Sequence, residues 1–330
     1  MTEDVSGRAV LKSSAAATVA AVGLSGCTDG SEGVDGETSL VAANWEAAET
    51  PTEETLYDVA YTSDGPYVVG TAGLVLGRTG EGWEKVLDGG PTGNGNDLYG
   101  ADVTDDGDRL WFVGASGAIG EYDVTAGSLN DYSAPDDVTN NFNDVAVTAA
   151  AGEANTFVAG DSGKMYVNFD NGASGKWDST TPGSGAAVQA IDFHDDCSGH
   201  AVDGNQTVFR TDDGSTCESF GIQDANDDFF GVDSDGADDV TVAGGGSVRN
   251  WDGSEWVPED NGDPTLRDVE MDGASGLTVG GGVVFRRDED GWVQEETPVG
   301  GNLRAVLRAD DRGHDRDIAV GAAGTVIENP

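Results

Sequence analysis

The amino-acid sequence predicts an all-β fold: a seven-bladed β-propeller of four-stranded antiparallel blades, closed by an N-terminal outer strand. Three observations predict it: a glycine phrase recurs about every 40 residues, short apolar strands flank each copy, and a Trp follows near the end of most units. A repeat of this length with several short strands per unit is typical of propellers and related arrays. Propellers serve many activities, so the architecture alone does not define a function.

The glycine phrase has the form apolar strand, Gly-x-x-Gly, apolar strand. The paired glycines of the four clear copies are Gly70 and Gly73, Gly114 and Gly117, Gly160 and Gly163, and Gly321 and Gly324. Weaker copies centre on Gly204, Gly244 and Gly280. From Gly70 to Gly321 the intervals are 44, 46, 44, 40, 36 and 41 residues, which gives seven units. We expect these glycines to allow tight turns and close backbone approach near the central channel.

Each unit opens with an alternating strand, such as residues 56–61 or 142–147, and continues through a turn built from Asp and Gly. The outermost strand of a unit often starts with Trp. We expect these large aromatic side chains to pack between neighbouring blades. The Trp residues at this repeated place are Trp45, Trp83, Trp177, Trp256 and Trp292.

The last unit is incomplete, because the chain stops at Pro330 with no room for an outer strand. A strand-like segment at residues 40–46 precedes the first full unit and carries Trp45 at the outer-strand position. We therefore predict that this N-terminal strand completes the last blade. Such closure removes a free sheet edge that would otherwise pair with other chains.

The charge balance is extreme, with 16 Lys and Arg against 62 Asp and Glu and a formal net charge of −46. Disorder is the usual interpretation of such an imbalance, but 37% hydrophobic residues in regular strand-like runs contradict it. Self-repulsion of this size is tolerable when strong salt shortens the screening length, so we predict a halophilic source. The acidity excludes nucleic acid as a partner, since such binding depends on basic residues.

The first 26 residues predict an export signal peptide. A basic stretch at residues 8–12 leads into an apolar run at residues 15–24, which is too short for a permanent transmembrane helix. Leu24-Ser25-Gly26-Cys27 resembles a lipobox, with Cys27 as the site of lipid attachment. The basic stretch resembles a twin-arginine signal in which Gly7 replaces the first Arg, which leaves the export route open. An ordinary signal peptide with a chance Cys is the alternative.

The domain organisation follows from these segments. We assign residues 1–26 to the signal peptide, 27–39 to a flexible acidic tether and 40–330 to the propeller. The expected location is the extracellular face of the cytoplasmic membrane, with attachment to the membrane through the lipid at Cys27.

Outside the cell, Cys197 and Cys217 are a possible disulfide pair. The alternative is two free thiols that behave as small apolar residues. A zinc site at His194, Cys197 and His200 lacks a second ligand pair of matching spacing, and Asp-rich turns such as residues 105–108 do not match a calcium-binding loop. We therefore predict no metal and no cofactor.

The strand, Gly-x-x-Gly, strand and Trp pattern over residues 40–330 resembles the BNR/Asp-box superfamily of propellers, a WD40/YVTN-like repeat group. Within it the photosystem II assembly-factor type is most similar. The turn at residues 211–217 resembles that family's Asp-Gly turn, with Cys217 in place of the aromatic residue. The resemblance implies structural roles for the repeated residues and a function that depends on a partner. Sialidases share the Asp-box, but their arginine cluster has no recognisable counterpart here, since Arg286, Arg287, Arg304 and Arg308 follow no pattern.

These observations favour a monomeric, non-catalytic scaffold that binds a surface protein or a glycan, and we assign no catalytic residue. The alternative is a secreted propeller glycoside hydrolase or polysaccharide lyase, because acidic residues are too abundant for any catalytic pair to be chosen or excluded. A channel lined by small residues would favour the scaffold, which is what the glycine phrase predicts. Convergent carboxylates, His or Arg would favour the enzyme. A single N-glycosylation sequon lies at Asn205-Gln206-Thr207.

Overall fold

The computed structural model describes residues 41–222, 227–309 and 313–330. Their strands form seven four-stranded antiparallel sheets arranged in a ring, which confirms the predicted seven-bladed propeller. The predicted signal peptide and tether, including Cys27, lie outside the described residues. No helix in the described ranges is long and apolar enough to cross a bilayer.

The strands follow the chain from blade to blade. The first, β1 (Glu46–Ala48), belongs to the last blade. Blade 1 contains β2 (Leu56–Thr62), β3 (Gly65–Gly70), β4 (Leu74–Thr79) and β5 (Gly82–Leu87). Blade 2 contains β6 (Leu98–Val103), β7 (Arg109–Gly114), β8 (Ile119–Asp123) and β9 (Ser128–Asp131). Blade 3 contains β10 (Phe142–Thr148), β11 (Asn155–Gly160), β12 (Met165–Asn168) and β13 (Asp178–Thr180).

The remaining four blades repeat this order. Blade 4 contains β14 (Val188–Asp195), β15 (Ser198–Asp203), β16 (Val208–Thr211) and β17 (Cys217–Ser219). Blade 5 contains β18 (Gly231–Gly236), β19 (Asp239–Gly244), β20 (Ser247–Trp251) and β21 (Trp256–Asp260). Blade 6 contains β22 (Leu266–Asp272), β23 (Ser275–Gly280), β24 (Val283–Asp288) and β25 (Gly291–Glu295). Blade 7 contains β26 (Leu303–Leu307), β27 (Asp317–Gly321), β28 (Val326–Asn329) and β1.

The N-terminal strand completes blade 7 as predicted. Strand β1 pairs antiparallel with β28, and Ala47 lies opposite Ile327. Just before it, Val41 pairs in parallel with the outer strand of blade 6, donating to Gln294 O at 3.0 Å and accepting from Glu296 N at 2.9 Å. The N-terminal segment therefore attaches to two blades in succession.

The first strand of each blade lines the central axis. In six of the seven inner strands a β-bulge follows the first residue, so that one extra residue has no partner on the second strand. In blade 1, for example, Leu56 pairs with Gly70 and Asp58 pairs with Val69, which leaves Tyr57 as the extra residue. Bulges of this kind redirect side chains and recur at functional edges.

The hydrophobic core lies between the blades, not along the axis. Each cluster joins the facing sides of two neighbouring sheets, as where Phe112 of blade 2 packs with Val69 and Val75 of blade 1. The largest fully buried side chains include Trp111, Phe112, Phe142, Phe157 and Phe229. Removing such apolar surface from water stabilises the ring by about 25 cal/mol per Å².

The repeated glycines lie at the turn between the second and third strands, and their close contacts are with neighbouring backbone. A Cβ at Gly70 would lie 2.5 Å from Thr55 O, and one at Gly73 (φ +71°) would lie 2.2 Å from Gly90 N. These turns mark the end of each blade where the inner strand begins, which we call the Gly-turn end. The expectation that the glycines line the channel was wrong.

Candidate functional site

A cavity of about 750 Å³ runs along the axis of the propeller and is lined by the inner strands. Its wall is acidic, contrary to the expected lining of small residues. The carboxyl groups on it belong to Asp58, Asp102, Asp144, Asp192, Asp233, Asp235, Asp268, Glu270 and Asp272. By the criterion set above, convergent carboxylates favour an enzyme unless another role accounts for them.

Six of these carboxyl groups form hydrogen bonds that link neighbouring blades. Each accepts a hydrogen bond from a backbone N–H of the next inner strand, over 2.6–2.9 Å. Asp102 is representative: Oδ1 accepts from Val103 N at 2.7 Å and Oδ2 from Val147 N at 2.6 Å. Because the backbone N–H groups use these oxygens, the aspartates are structural bridges.

The bridging aspartates occupy two levels of the channel. Asp58, Asp144 and Asp268 follow the bulge directly, whereas Asp102, Asp192 and Asp233 lie two residues further along their strands. The level alternates from blade 1 to blade 4, and the aspartates of blades 4 and 5 both lie at the further level. In blade 2 the nearer position holds Gly100, where a Cβ would lie 2.6 Å from Asp144 Cα.

Burial and mutual repulsion change the protonation of these groups. Desolvation raises the pKa of Asp102 and of Asp268 to about 7, and that of Asp192 to about 6. Desolvation also raises the pKa of Asp58 and Glu270 well above the ordinary range, with neighbouring carboxylates adding to it. The channel is therefore partly protonated near neutral pH.

The junction between blades 7 and 1 lacks such a bridge. The two bridging positions of β26 hold Ala305 and Leu307. This junction is closed at the periphery instead, where Glu328 accepts from Arg78 Nε at 2.7 Å and from Trp83 Nε1 at 2.9 Å. Gly324 N also donates to Glu54 O at 2.7 Å.

At the Gly-turn end of the channel, the extra residues of the bulges form a ring that we call the mouth ring. Phe230 takes the corresponding place in blade 5. All seven side chains are half-buried. In blade order the mouth ring consists of Tyr57, Tyr99, Asn143, Gln189, Phe230, Arg267 and Arg304.

Five mouth-ring residues from consecutive blades are aromatic or cationic, and we call this part of the ring the arc. The guanidinium of Arg267 lies 4.3 Å from the centre of the Phe230 ring, and that of Arg304 lies 5.6 Å from the Tyr57 ring. Tyr57 and Tyr99 meet edge to face with centroids 5.1 Å apart. Cation–π contacts of this kind hold a guanidinium in place without neutralising its charge.

The two arginines of the arc are not paired with acidic residues anywhere in the described ranges, although the chain has a net charge of −46. Arg304 Nε is buried without a hydrogen-bond partner. Burial and the charge of Arg304 lower the pKa of Arg267. Two adjacent, partly desolvated guanidinium groups that lack a counter-charge form a favourable position for a carboxylate or another anion.

The opposite end of the channel has a different chemistry. His194 Nδ1 and His200 Nδ1 lie 2.9 and 2.7 Å from the hydroxyl of Ser234, which is 4% exposed. Burial lowers the pKa of His200 to about 4, so this imidazole is neutral near pH 7. Both Nδ1 atoms are used around the buried hydroxyl, whereas His200 Nε2 is buried without a hydrogen-bond partner. No group of three or more potential metal ligands occurs among the described residues.

The predicted Trp residues all lie in or next to the outermost strands. Three of them donate their indole N–H to the preceding blade: Trp45 to Glu295 Oε2 at 2.7 Å, Trp83 to Glu328, and Trp256 to Phe220 O at 3.1 Å. Trp177 is partly buried against the hydrophobic cluster between blades 2 and 3, and Trp292 against the one between blades 5 and 6. These contacts are structural.

The predicted disulfide is not formed, and Cys197 and Cys217 are free thiols. Cys197 lies in the turn between β14 and β15, whereas Cys217 begins β17, with β16 between β15 and β17. Two strand spacings amount to about 9.5 Å, and a disulfide requires Cα atoms within roughly 7 Å. Cys217 instead packs with Sγ 3.6 Å from Met165 Sδ in blade 3.

Sequence reasoning missed the mouth ring and noted Arg304 only as lying outside any pattern. A usable signal was present, since each mouth-ring residue directly follows a buried apolar residue at or just before the start of its inner strand, as Arg304 follows Leu303. Aligning the units on that buried residue places Arg267 and Arg304 in equivalent positions of adjacent blades.

Fold and site together define a seven-bladed propeller with a carboxylate-bridged channel and one cationic, aromatic mouth. No family model matches the sequence, and no curated protein matches it. Among solved structures it is similar to YCF48 from Cyanidioschyzon merolae, with a TM-score of 0.67 and 18% identity over 87% of this chain and 98% of that one.

Other similar structures differ widely in their activity. One is YCF48 bound to D1 peptide, with a TM-score of 0.69 and 15% identity over 88% of this chain and 98% of that chain. Another is virginiamycin B lyase from Staphylococcus aureus with quinupristin, with a TM-score of 0.72 and 12% identity over 86% and 98%. At these identities the similarity shows the fold alone, so the function has to be argued from the site.

Proposed function

We propose that this protein is an exported, lipid-anchored, non-catalytic propeller that binds a partner protein at its Gly-turn mouth, where Arg267 and Arg304 hold an acidic group of the partner. The observation that carries the proposal is the arginine pair without a counter-charge in a chain of net charge −46. The aromatic neighbours supply apolar contact next to the charge, a combination common in protein-binding surfaces.

A binding role accounts for the channel better than catalysis does. A catalytic carboxylate has to reach the substrate, but both oxygens of Asp58, Asp102, Asp144, Asp192 and Asp268 accept backbone hydrogen bonds. Structures of similar fold include a propeller bound to a peptide, which is consistent with peptide recognition on this scaffold.

The binding proposal can be tested with matched peptides. A peptide array would present each sequence with an acidic residue or free C-terminal carboxylate and again with the neutral amide, at native salt. We expect the wild type to bind the acidic members and the double variant R267Q/R304Q to lose at least tenfold in affinity. Arg210→Gln is the control, since Arg210 is exposed on β16 and pairs with Glu218 at 3.5 Å.

Equal binding of neutral and acidic peptides, or unchanged binding by the double variant, would refute the proposed role of the arginine pair. Selective binding of acidic oligosaccharides with no peptide binding would assign the site to a glycan. Bond cleavage in either ligand would establish the hydrolase or lyase alternative.

The anchor is tested separately. If Cys27 carries the lipid, Cys27→Ala releases the protein from the membrane into the medium, as measured by fractionation. Retention of the variant on the membrane would disprove lipid attachment at this residue and leave the binding proposal unaffected.

A further inference from the structure

We infer that Asn205 carries an N-linked glycan, an inference that rests on the export part of the proposed function. Asn205-Gln206-Thr207 is the only Asn-x-Ser/Thr sequence in the chain. It forms the turn between β15 and β16 of blade 4. A sequon is glycosylated only where its asparagine is accessible, so the exposure of this turn determines whether Asn205 can be modified.

The turn differs from its counterparts in the other blades. In blades 1, 2, 3 and 7 its fourth position holds Gly73, Gly117, Gly163 and Gly324, with φ between +68° and +74°. A Cβ at these glycines would lie 2.1–2.4 Å from the backbone of an adjacent loop. The turn is therefore covered at this point in those four blades.

Gln206 takes this fourth position in blade 4, because Asp203 pairs with the first residue of its inner strand as Gly70 does, and the turn is accessible there. Asn205 is exposed and Thr207 is half-exposed. The Asn205 amide side chain has no hydrogen-bond partner in the described structure, while its backbone N–H and that of Thr207 both donate to Asp203 Oδ1 at 3.0 Å. Gln206 has a positive φ of 64°, like the glycines at this position in the other turns, so the backbone keeps the repeat's shape. The sequon therefore lies in a turn that keeps the repeat's backbone shape, has no covered glycine and exposes its asparagine.

The turn also lies where a glycan would not disturb the ring. Asp203 pairs with Val188, the first residue of the inner strand, so the sequon is at the Gly-turn end of blade 4. The arc of the mouth ring runs through blades 5, 6, 7, 1 and 2. A glycan on Asn205 would cover a sector of that face outside the arc and leave the arginine pair open.

The modification requires an oligosaccharide donor linked to a lipid phosphate, together with its transferase at the cell surface. The Asn205 Nδ2 forms a bond to the anomeric carbon of the first sugar and loses one proton. The bond between that carbon and the lipid phosphate oxygen breaks, and the phosphate leaves with the electron pair. No oxidant or reductant is involved.

The test is mass spectrometry of the full-length protein purified from the membranes of its own host. We expect the peptide containing Asn205 to be heavier by a set of sugar residues in the wild type. The added mass should vanish in Asn205→Gln and Thr207→Val, and persist in Thr207→Ser, which keeps the hydroxyl. Asn94→Gln is the control, because Asn94 is an exposed asparagine with no hydroxyl residue two positions later.

The same sample reports on processing of the N-terminus, which separates the two claims. A chain cleaved before Cys27 with unmodified Asn205 would overturn the glycan and leave export intact. An uncleaved chain with unmodified Asn205 would overturn both, since it would never have met the transferase. A glycan that persists in Thr207→Val would assign the sugar to a different chemistry.

Discussion

The propeller is held together by two chemically different kinds of blade junction. At six junctions an aspartate of one inner strand accepts a backbone N–H of the next, close to the axis. The junction between blades 7 and 1 has Ala305 and Leu307 at those positions and is closed by Glu328, Arg78 and Trp83 at the periphery. The first kind joins consecutive segments of chain, whereas the second joins the two ends of the fold.

This difference explains why a carboxylate-rich channel is compatible with a binding protein. Bridging all consecutive blades needs one acceptor on every inner strand except that of blade 7. Burying each of these carboxyl groups costs free energy, and this cost raises its pKa. The peripheral junction keeps its carboxylate charged by pairing it with two arginines, Arg78 and Arg316. The six bridging aspartates thus reflect how the ring is built, whereas the unpaired arginines at the mouth carry the proposed binding role.

Loss of the N-terminal segment should have the largest effect. Deleting residues 41–48 removes β1, exposes the edge of β28 and takes away Trp45, which is 6% exposed and bonded to Glu295. Removing a buried aromatic side chain alone costs about 3–5 kcal/mol. We expect a lowered thermal transition in molar salt and a tendency to aggregate. An unchanged transition would show that blade 7 does not depend on β1.

Breaking a single axial bridge should have the next largest effect. Asp102→Ala leaves the N–H groups of Val103 and Val147 without their acceptor, at about 1–3 kcal/mol for each unsatisfied group. Asp102→Asn keeps one acceptor oxygen and should cost less. Denaturant unfolding at fixed salt measures both variants, with the exposed Asp105→Ala as the control. If Asp102→Ala is as stable as the control, the bridge has no net structural role.

The two junction types should respond to pH in opposite directions. The pKa values of Asp102 and Asp268 are raised to about 7, and that of Asp192 to about 6, so the native state binds more protons than the unfolded chain below these values. Their contribution is complete below about pH 4 and is lost progressively as the pH rises to about 6–7. The pKa of Glu328 is lowered by Arg78 and Arg316, and its contribution is lost on acidification.

We therefore expect the free energy of unfolding to be largest near about pH 5 and to fall toward pH 8. Thermal unfolding over this range measures the change, and Asp102→Asn should flatten part of it. Stability that rises steadily from pH 5 to pH 8 would contradict the protonated bridges.

The smallest effect is expected from reducing the cysteines, because they should form no covalent link in the ring. Because Cys197 and Cys217 are free thiols in different parts of blade 4, a reductant should leave the thermal transition unchanged. Thiol labelling of the denatured protein without reductant should modify both Cys197 and Cys217. A transition lowered by several degrees in reductant would show that a bond forms between them.

Much of the fold could be predicted from local sequence signals. The spacing of the glycine turns defined the number of units, and Trp45 in an orphan strand identified the piece that completes blade 7. The disulfide prediction was wrong because sequence separation does not reveal how many strands lie between two residues of one sheet. The channel lining was wrong for a related reason, since the glycines lie on the second strand and the carboxylates on the first.

The sequence by itself determined the repeat, the strand order and the closure of the ring, because hydrophobic alternation and turn glycines act over a few residues. Only the tertiary structure decided which acidic residues are structural and which basic residues are free. Asp58 meets Ala101, and Arg304 meets Tyr57, only after a bulge has redirected each inner strand and the ring has brought distant units together. Those contacts depend on the angle between blades, which no single stretch of the chain encodes.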